Sequence, residues 1–128
     1  MYKLSTRSRG RIDGINPILI QIIEEAIKES PFDFGIPEHG GLRTDEEQIE
    51  MYAQGRTKPG RIVTWTLKSV HKSGNAFDIY AYVNGAASWD LEHLEPIARH
   101  LQEIACQRDV VLDWGYDLWK KDGAHFQI

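Results

Sequence analysis

A single cysteine, Cys106, leaves the chain without an internal disulfide or a cysteine-rich zinc site. Beside Ile104 and Ala105 in a helical context, Cys106 reads as a small core residue rather than a nucleophile. Long apolar runs are missing as well: Ile18 to Ile23 is broken by Gln21 and falls far short of the ~20 residues of a bilayer span, so no stable membrane insertion is expected. Lys3, Arg7, Arg9 and Arg11 are followed by no apolar h-region and no small-residue cleavage site, so no standard export signal is expected. Nor is there an excess of positive charge. Fifteen basic residues against 19 acidic ones give a formal net charge of −4, which offers no general electrostatic reason to bind nucleic acid. The cations of the first eleven residues are read as solvating the terminus.

What is present fits one globular domain over residues 1–128, with 41% hydrophobic and 27% charged residues. In NPILIQIIEEAIKES, Leu19, Ile22, Ile23, Ala26 and Ile27 recur at helical spacing behind Asn16 as N-cap and Pro17 at the first helical position. A short FDFGI run follows as a strand candidate. GGLRTDEEQIEMYAQG predicts a second helix, opened by a Thr44–Glu47 capping box and closed at Gly55. Residues 55–70 hold Gly55, Pro59 and Gly60 with little periodicity, which predicts an ordered surface loop.

AFDIYAYVNG alternates as a strand: Phe77, Ile79, Ala81 and Val83 point one way and Asp78, Tyr80 and Tyr82 the other, before an Asn84-Gly85 turn. Leu91, Leu94, Ala98, Leu101 and Ala105 mark another helix, which Pro96 either starts or kinks. VVLDW and AHFQI are the last strand candidates. The expected fold class is α+β, a small antiparallel sheet flanked by helices.

On the open side of those strands the alternation places Asp78 and His125, with His71 just upstream of the first. Gly74 lets the chain turn between His71 and Asp78, and small Ala76 permits close backbone approach. Two histidines and a carboxylate match the ligand inventory of hydrolytic zinc, which keeps a fourth position for water. Since the chain has five histidines, periodicity alone does not identify zinc. His93 and His100, seven apart on a helix, read as surface groups, and His39 flanks a Gly-Gly turn. No ligand role is assigned to these.

SVHKSGNAFD matches the SxHxxGxAxD signature, and DGAHF the second signature, of the zinc peptidases that cut D-alanyl-D-alanine or L-alanyl-D-glutamate bonds in peptidoglycan. GGLRTDEEQ resembles their arginine-containing segment. MYAQGRTKPGRIVTWT and LSTRSRGRIDGINPIL resemble the corresponding stretches of the phage endolysin branch, so the resemblance to this VanY-like family covers nearly the whole chain. It implies the LAS-type fold shared with hedgehog and D-Ala-D-Ala peptidase domains, and one catalytic Zn2+ held by His71, Asp78 and His125. It makes Asp122 the acidic residue that moves protons. Arg43 becomes the arginine that binds substrate or steadies the tetrahedral oxygen, the bland alternative being a pair with Asp45. Gln48 would orient Arg43 or the peptide, and Ser69 would lie beside the ligands or against substrate. Trp114 and Trp119 are candidates to wall the cleft, or else core residues. Leu118, inserted in WGYDLW, and Gln127, where relatives often carry Glu, depart from the pattern near Trp119 and leave the ligands intact.

The resemblance therefore implies a phage endolysin whose substrate is bacterial peptidoglycan and whose scissile bond is L-alanyl-D-glutamate. A D-alanyl-D-alanine carboxypeptidase is the enzyme alternative; a zinc-stabilised binding module without catalysis is the alternative of another class, against which Asp122 argues. No appended wall-binding repeat is seen and nothing demands an oligomer, so a monomer without a separate wall-binding domain is expected. It would reside in the host cytoplasm until a separate pore-forming protein opens the way to the wall.

Overall fold

The structure, a computed structural model, describes residues 1–128. Asn16 accepts the Ile18 N–H at 3.1 Å and Pro17 presets the first helical φ, so helix α2 (Pro17–Lys28) starts where the sequence signals it. Its buried Leu19, Ile22, Ile23, Ala26 and Ile27 pack against α4 (Leu91–Gln107), which buries Leu94, Ile97, Ala98, Leu101 and Ala105. Pro96 does not start α4, which begins at Leu91; it sits inside the helix and withholds the N–H that the Glu92 carbonyl would otherwise accept. Cys106 corrects its expected placement. One position beyond Ala105, it is rotated off the apolar stripe and is exposed.

An unanticipated helix, α1 (Thr6–Ile12), precedes α2, capped by Ser5 Oγ accepting the Ser8 N–H at 3.1 Å. Seven residues with only Ser8 and Ile12 buried carry too little periodicity to be read from sequence. The terminal cations are also less free than expected: Arg9 pairs with Glu24, and Arg11 donates to the Ile36 carbonyl at 2.9 Å.

Strand β1 (Asp33–Gly35) leads to α3 (Asp45–Ala53), whose capping box is complete: Thr44 Oγ1 accepts the Glu47 N–H and Glu47 Oε1 accepts the Thr44 N–H, both at 3.1 Å. A 3-10 turn, Val70–Ser73, ends on left-handed Gly74 at φ 80°. The alternating run that follows is not one strand. Ala76–Asp78 (β2) and Tyr80–Val83 (β3) belong to different sheets, with the Ile79 N–H donated to the Ala124 carbonyl at the break. Side-chain alternation continues through Ile79, so the sequence pattern reported the faces correctly and concealed the change of hydrogen-bonding partner.

The first sheet runs β1-β3-β4, with β4 at Ala86–Ser88; the second runs β2-β6-β5, with β5 at Asp113–Trp114 and β6 at His125–Gln127. All pairings are antiparallel. Of VVLDW, only its last two residues enter a strand. Helix α5 (Gly115–Trp119) joins β5 to the loop before β6.

Register in the second sheet sets the site. Asp78 lies opposite His125, Phe77 opposite Phe126 and Ala76 opposite Gln127. Phe77 and Phe126, both fully buried, stack with ring centroids 5.1 Å apart on one face, which turns Asp78 and His125 to the other. A slip by one residue would bury the polar pair and expose the rings.

Gly41 brings α1 to this region: a Cβ there would stand 1.9 Å from the Arg11 carbonyl oxygen. Replacing Gly41 with Ala should therefore cost about 1–3 kcal/mol, as overpacking does, seen as a lower Tm in thermal unfolding. An unchanged Tm would mean that α1 does not press on this loop.

Candidate metal centre and its cleft

His71 stands in the 3-10 turn, its N–H donated to Ser69 Oγ at 3.2 Å. Its Nδ1 lies 2.9 Å from the Gly41 carbonyl, which can only accept, so Nδ1 carries the proton and Nε2 presents a bare lone pair. His125 Nε2 lies 2.8 Å from Gln127 Oε1, which by the same logic leaves Nδ1 bare. These two lone pairs are 3.2 Å apart, and Asp78 Oδ1 is 3.1 Å from the first and 3.2 Å from the second. Three electron-pair donors thus converge with no hydrogen assigned between them. Such a set requires a proton or a cation, and imidazole plus carboxylate is a donor chemistry that suits Zn2+.

The surroundings prepare these groups. When protons rather than a cation take the place between the three groups, burial pushes the Asp78 carboxyl up, but the charge of protonated His71 and hydrogen bonds from both rings outweigh it and hold the carboxyl far below the usual range. In the same state burial pushes His125 down, and the bonds its protonated ring makes to Asp78 and Gln127 reverse the shift, so it titrates above its ordinary value. Asp122 is exposed as a residue yet lines the cleft, where desolvation and then the Asp78 charge raise its carboxyl above the usual range. It sits in left-handed backbone at φ 63°. Gly115 lies under this loop, where a Cβ would come within 2.5 Å of the Asp122 carbonyl and 3.1 Å of His125 Cβ.

Arg43 is 7% exposed, and its donors are largely committed. Nε donates to the His39 carbonyl at 2.8 Å, Nη1 to Gln48 Oε1 at 3.1 Å and Ser69 Oγ at 3.4 Å, and Nη2 to Asp78 Oδ2 at 3.1 Å. Asp78 therefore offers one oxygen to the histidines and the other to Arg43. The alternative pairing with Asp45 does not form; Asp45 takes Lys72 at 2.7 Å. Gln48 is fully buried and donates to Thr64 Oγ1 at 3.1 Å and the Thr66 carbonyl at 2.6 Å, tying Arg43 to the 55–70 loop.

That loop lines a cleft of about 520 Å3 with Trp65 and Lys68, and Trp119 and Lys121 line the same space. The Trp119 ring centroid is 5.5 Å from that of His125. Trp114 is no wall residue: it is fully buried and donates Nε1–H to the Gly123 carbonyl at 2.7 Å. The sequence reading missed Trp65, Thr64, Thr66 and Lys121, since a loop without periodicity gives no facing; GRIVTWT, a hydrophobic run inside a Gly- and Pro-bearing loop, was the available signal. His93 and His100 are not free surface groups either. They are half-buried, His93 Nδ1 2.7 Å from Ser88 Oγ and His100 Nε2 2.9 Å from the Ala26 carbonyl.

Fold and cleft together define a small α+β domain built around a triad of metal-type donors. The family model for phage L-alanyl-D-glutamate peptidases matches residues 1–127, and the chain belongs to that family. It is 27% identical over 125 residues to an L-alanyl-D-glutamate peptidase of Escherichia phage T5, covering 97% of this chain and 86% of that one. It is 34% identical over 96 residues to the peptidoglycan L-alanyl-D-glutamate endopeptidase CwlK of Bacillus subtilis (strain 168), covering 69% of this chain and 57% of CwlK. The crystal structure of the Serratia marcescens L-Ala D-Glu endopeptidase ChiX superimposes with a TM-score of 0.82 at 32% identity, covering 99% of this chain and 90% of ChiX.

Because Arg43 holds the far oxygen of Asp78, Arg43→Gln should weaken Zn2+ binding by about 10- to 100-fold, the usual effect of losing a partner that orients a ligand. Competition against a chromogenic chelator reads this; unchanged affinity would detach Arg43 from the donor set.

Proposed function

We infer that the chain is a zinc-dependent endopeptidase that hydrolyses the L-alanyl-D-glutamate bond of the peptidoglycan stem peptide, acting as a phage endolysin. The observation that carries this reading is the meeting of His71, Asp78 and His125 with Asp122 in one cleft, in a chain of this family. His71 Nε2, Asp78 Oδ1 and His125 Nδ1 would hold a single Zn2+, which when bound supplies Lewis acidity toward the scissile carbonyl and its attacking water.

The proton chemistry belongs to Asp122. Its carboxylate takes a proton from the water as the oxygen adds to the carbonyl carbon, and returns it to the amine as the C–N bond breaks. A carboxyl raised toward the working pH suits both transfers better than an ordinary one. Arg43 acts mainly on Asp78. Of the five N–H donors of a guanidinium, one on Nη2 remains for a substrate oxygen once His39, Gln48, Ser69 and Asp78 are served. Ser69 accepts from both Arg43 and the His71 backbone, and Gln48 anchors Arg43, so both position the site.

No helix is long and apolar enough to cross a membrane. Residues 1–128 serve as a single catalytic domain, working as a monomer on the bacterial wall, with no nucleic-acid partner. Before lysis it stays in the host cytoplasm and reaches the wall through a lesion made by a separate pore-forming protein.

Digestion of purified peptidoglycan should release new N-terminal D-glutamate, abolished by a chelator and restored by Zn2+, as identified by mass spectrometry. Free D-alanine instead would move the assignment to a carboxypeptidase, and no product at stoichiometric Zn2+ would make the chain a binding module. Asp122→Ala should cut turnover by at least about 10²–10⁴-fold, the usual worth of general acid–base catalysis, while bound Zn2+ stays at one equivalent. Unchanged turnover would remove Asp122 from the mechanism.

A further inference from the structure

The protein carries a net charge of −4, yet its cleft is lined by Arg43, Lys68 and Lys121 against Asp78 and Asp122. Arg43 spends its charge on Asp78. The lysines do not spend theirs: whereas Lys58 pairs with Glu50 and Lys72 with Asp45, no carboxylate pairs with Lys68 or Lys121. An uncompensated positive region inside an acidic protein is a complement to an anionic ligand.

Lys121 is the better placed of the two. It immediately precedes Asp122, and its Nζ stands 4.6 Å from the ring centroid of Trp65, another residue of the cleft lining, so the ammonium is held within the cleft that Asp122 also lines. A cation–π contact fixes the ammonium while leaving its N–H donors available. The neighbouring Lys120 lies instead over Tyr116, outside the cleft lining.

The substrate named above provides the matching charge. When a peptide continues beyond an L-alanyl-D-glutamate bond through the side-chain carboxyl, the main-chain carboxylate of D-glutamate stays free, on the carbon bonded to the scissile nitrogen. We propose that Lys121, held against the Trp65 ring in the cleft, is the receptor for this free carboxylate and so sets the specificity for D-glutamate after the scissile bond. The proposal rests on the peptidase reading. It makes Lys121 a specificity-determining residue, distinct from the groups that bind metal or move protons.

The test compares two peptides, acetyl-L-Ala-D-Glu extended through its side-chain carboxyl to lysine, and the same peptide with the main-chain carboxylate replaced by a carboxamide. The zinc-loaded wild type should favour the carboxylate by about tenfold in kcat/KM, the size of a charge-assisted hydrogen bond at a solvent-accessible site. Added salt should shrink that preference. Lys121→Gln should bring the ratio close to one, Lys121→Arg should restore most of it, and Lys120→Gln should leave it at the wild-type value. A wild-type ratio near one, or a ratio that survives Lys121→Gln, overturns the assignment while leaving the peptidase reading standing. A Lys121→Gln loss shared equally by both peptides also overturns it, since a structural role would act that way. Failure of the wild type to cut either peptide overturns the peptidase reading and this proposal together.

Discussion

The Asp78 carboxylate is the joint on which the site depends. Its Oδ1 meets the bare nitrogens of His71 and His125, and its Oδ2 takes the Arg43 guanidinium at 3.1 Å. Neither half is stable by itself. Without the cation at Oδ2, an anion would be buried among apolar and imidazole groups; without a proton or metal at Oδ1, three lone pairs would face one another. The arginine is fixed in turn by the His39 carbonyl, Gln48 and Ser69, so a chain of hydrogen bonds runs from the 55–70 loop through Gln48 and Arg43 to Asp78.

Different parts of the fold deliver the pieces to this joint. The Phe77–Phe126 stack sets the β2–β6 register that puts Asp78 opposite His125. The 3-10 turn and left-handed Gly74 bring in His71, and the Gly41 carbonyl fixes its tautomer. Arg43 comes from just before α3, whose capping box fixes where that helix begins. Gly115 leaves room for the loop that carries Asp122 into the same cleft. Rigid sheet supplies two of the metal-type donors, and loops supply Asp122 and the lining around Trp65, the usual division between scaffold and chemistry.

Much of this was legible before any coordinates. The helical stripes of α2 and α4, the Asn16–Pro17 start and the Thr44–Glu47 box are local signals, and local signals survive into the structure. Alternation along residues 76–83 and 125–128 placed Asp78 and His125 on the open face, while the motif resemblance pointed to His71, Arg43 and Asp122. What stayed hidden was non-local. The partner of Arg43 lies 35 residues away, and Asp45, the alternative offered by closeness in sequence, pairs elsewhere, because proximity along the chain says nothing about Asp78. The division of one alternating run between two sheets, the burial of Trp114 against the exposure of Trp119, and the bridge from Lys121 to Trp65 all depend on how separate segments meet. Cys106 failed for a smaller reason, a single step of helical rotation off the stripe.

The central claim is that these residues form one preorganised zinc centre around Asp78. Anomalous diffraction at the zinc edge, from crystals grown with one equivalent of Zn2+, tests it most directly. The account predicts one peak bonded to His71 Nε2, Asp78 Oδ1 and His125 Nδ1, with Arg43 still on Asp78 Oδ2. A peak elsewhere, for example at the Asp90, Glu92 and His93 cluster, or a peak at the triad with Arg43 released from Asp78, would contradict it.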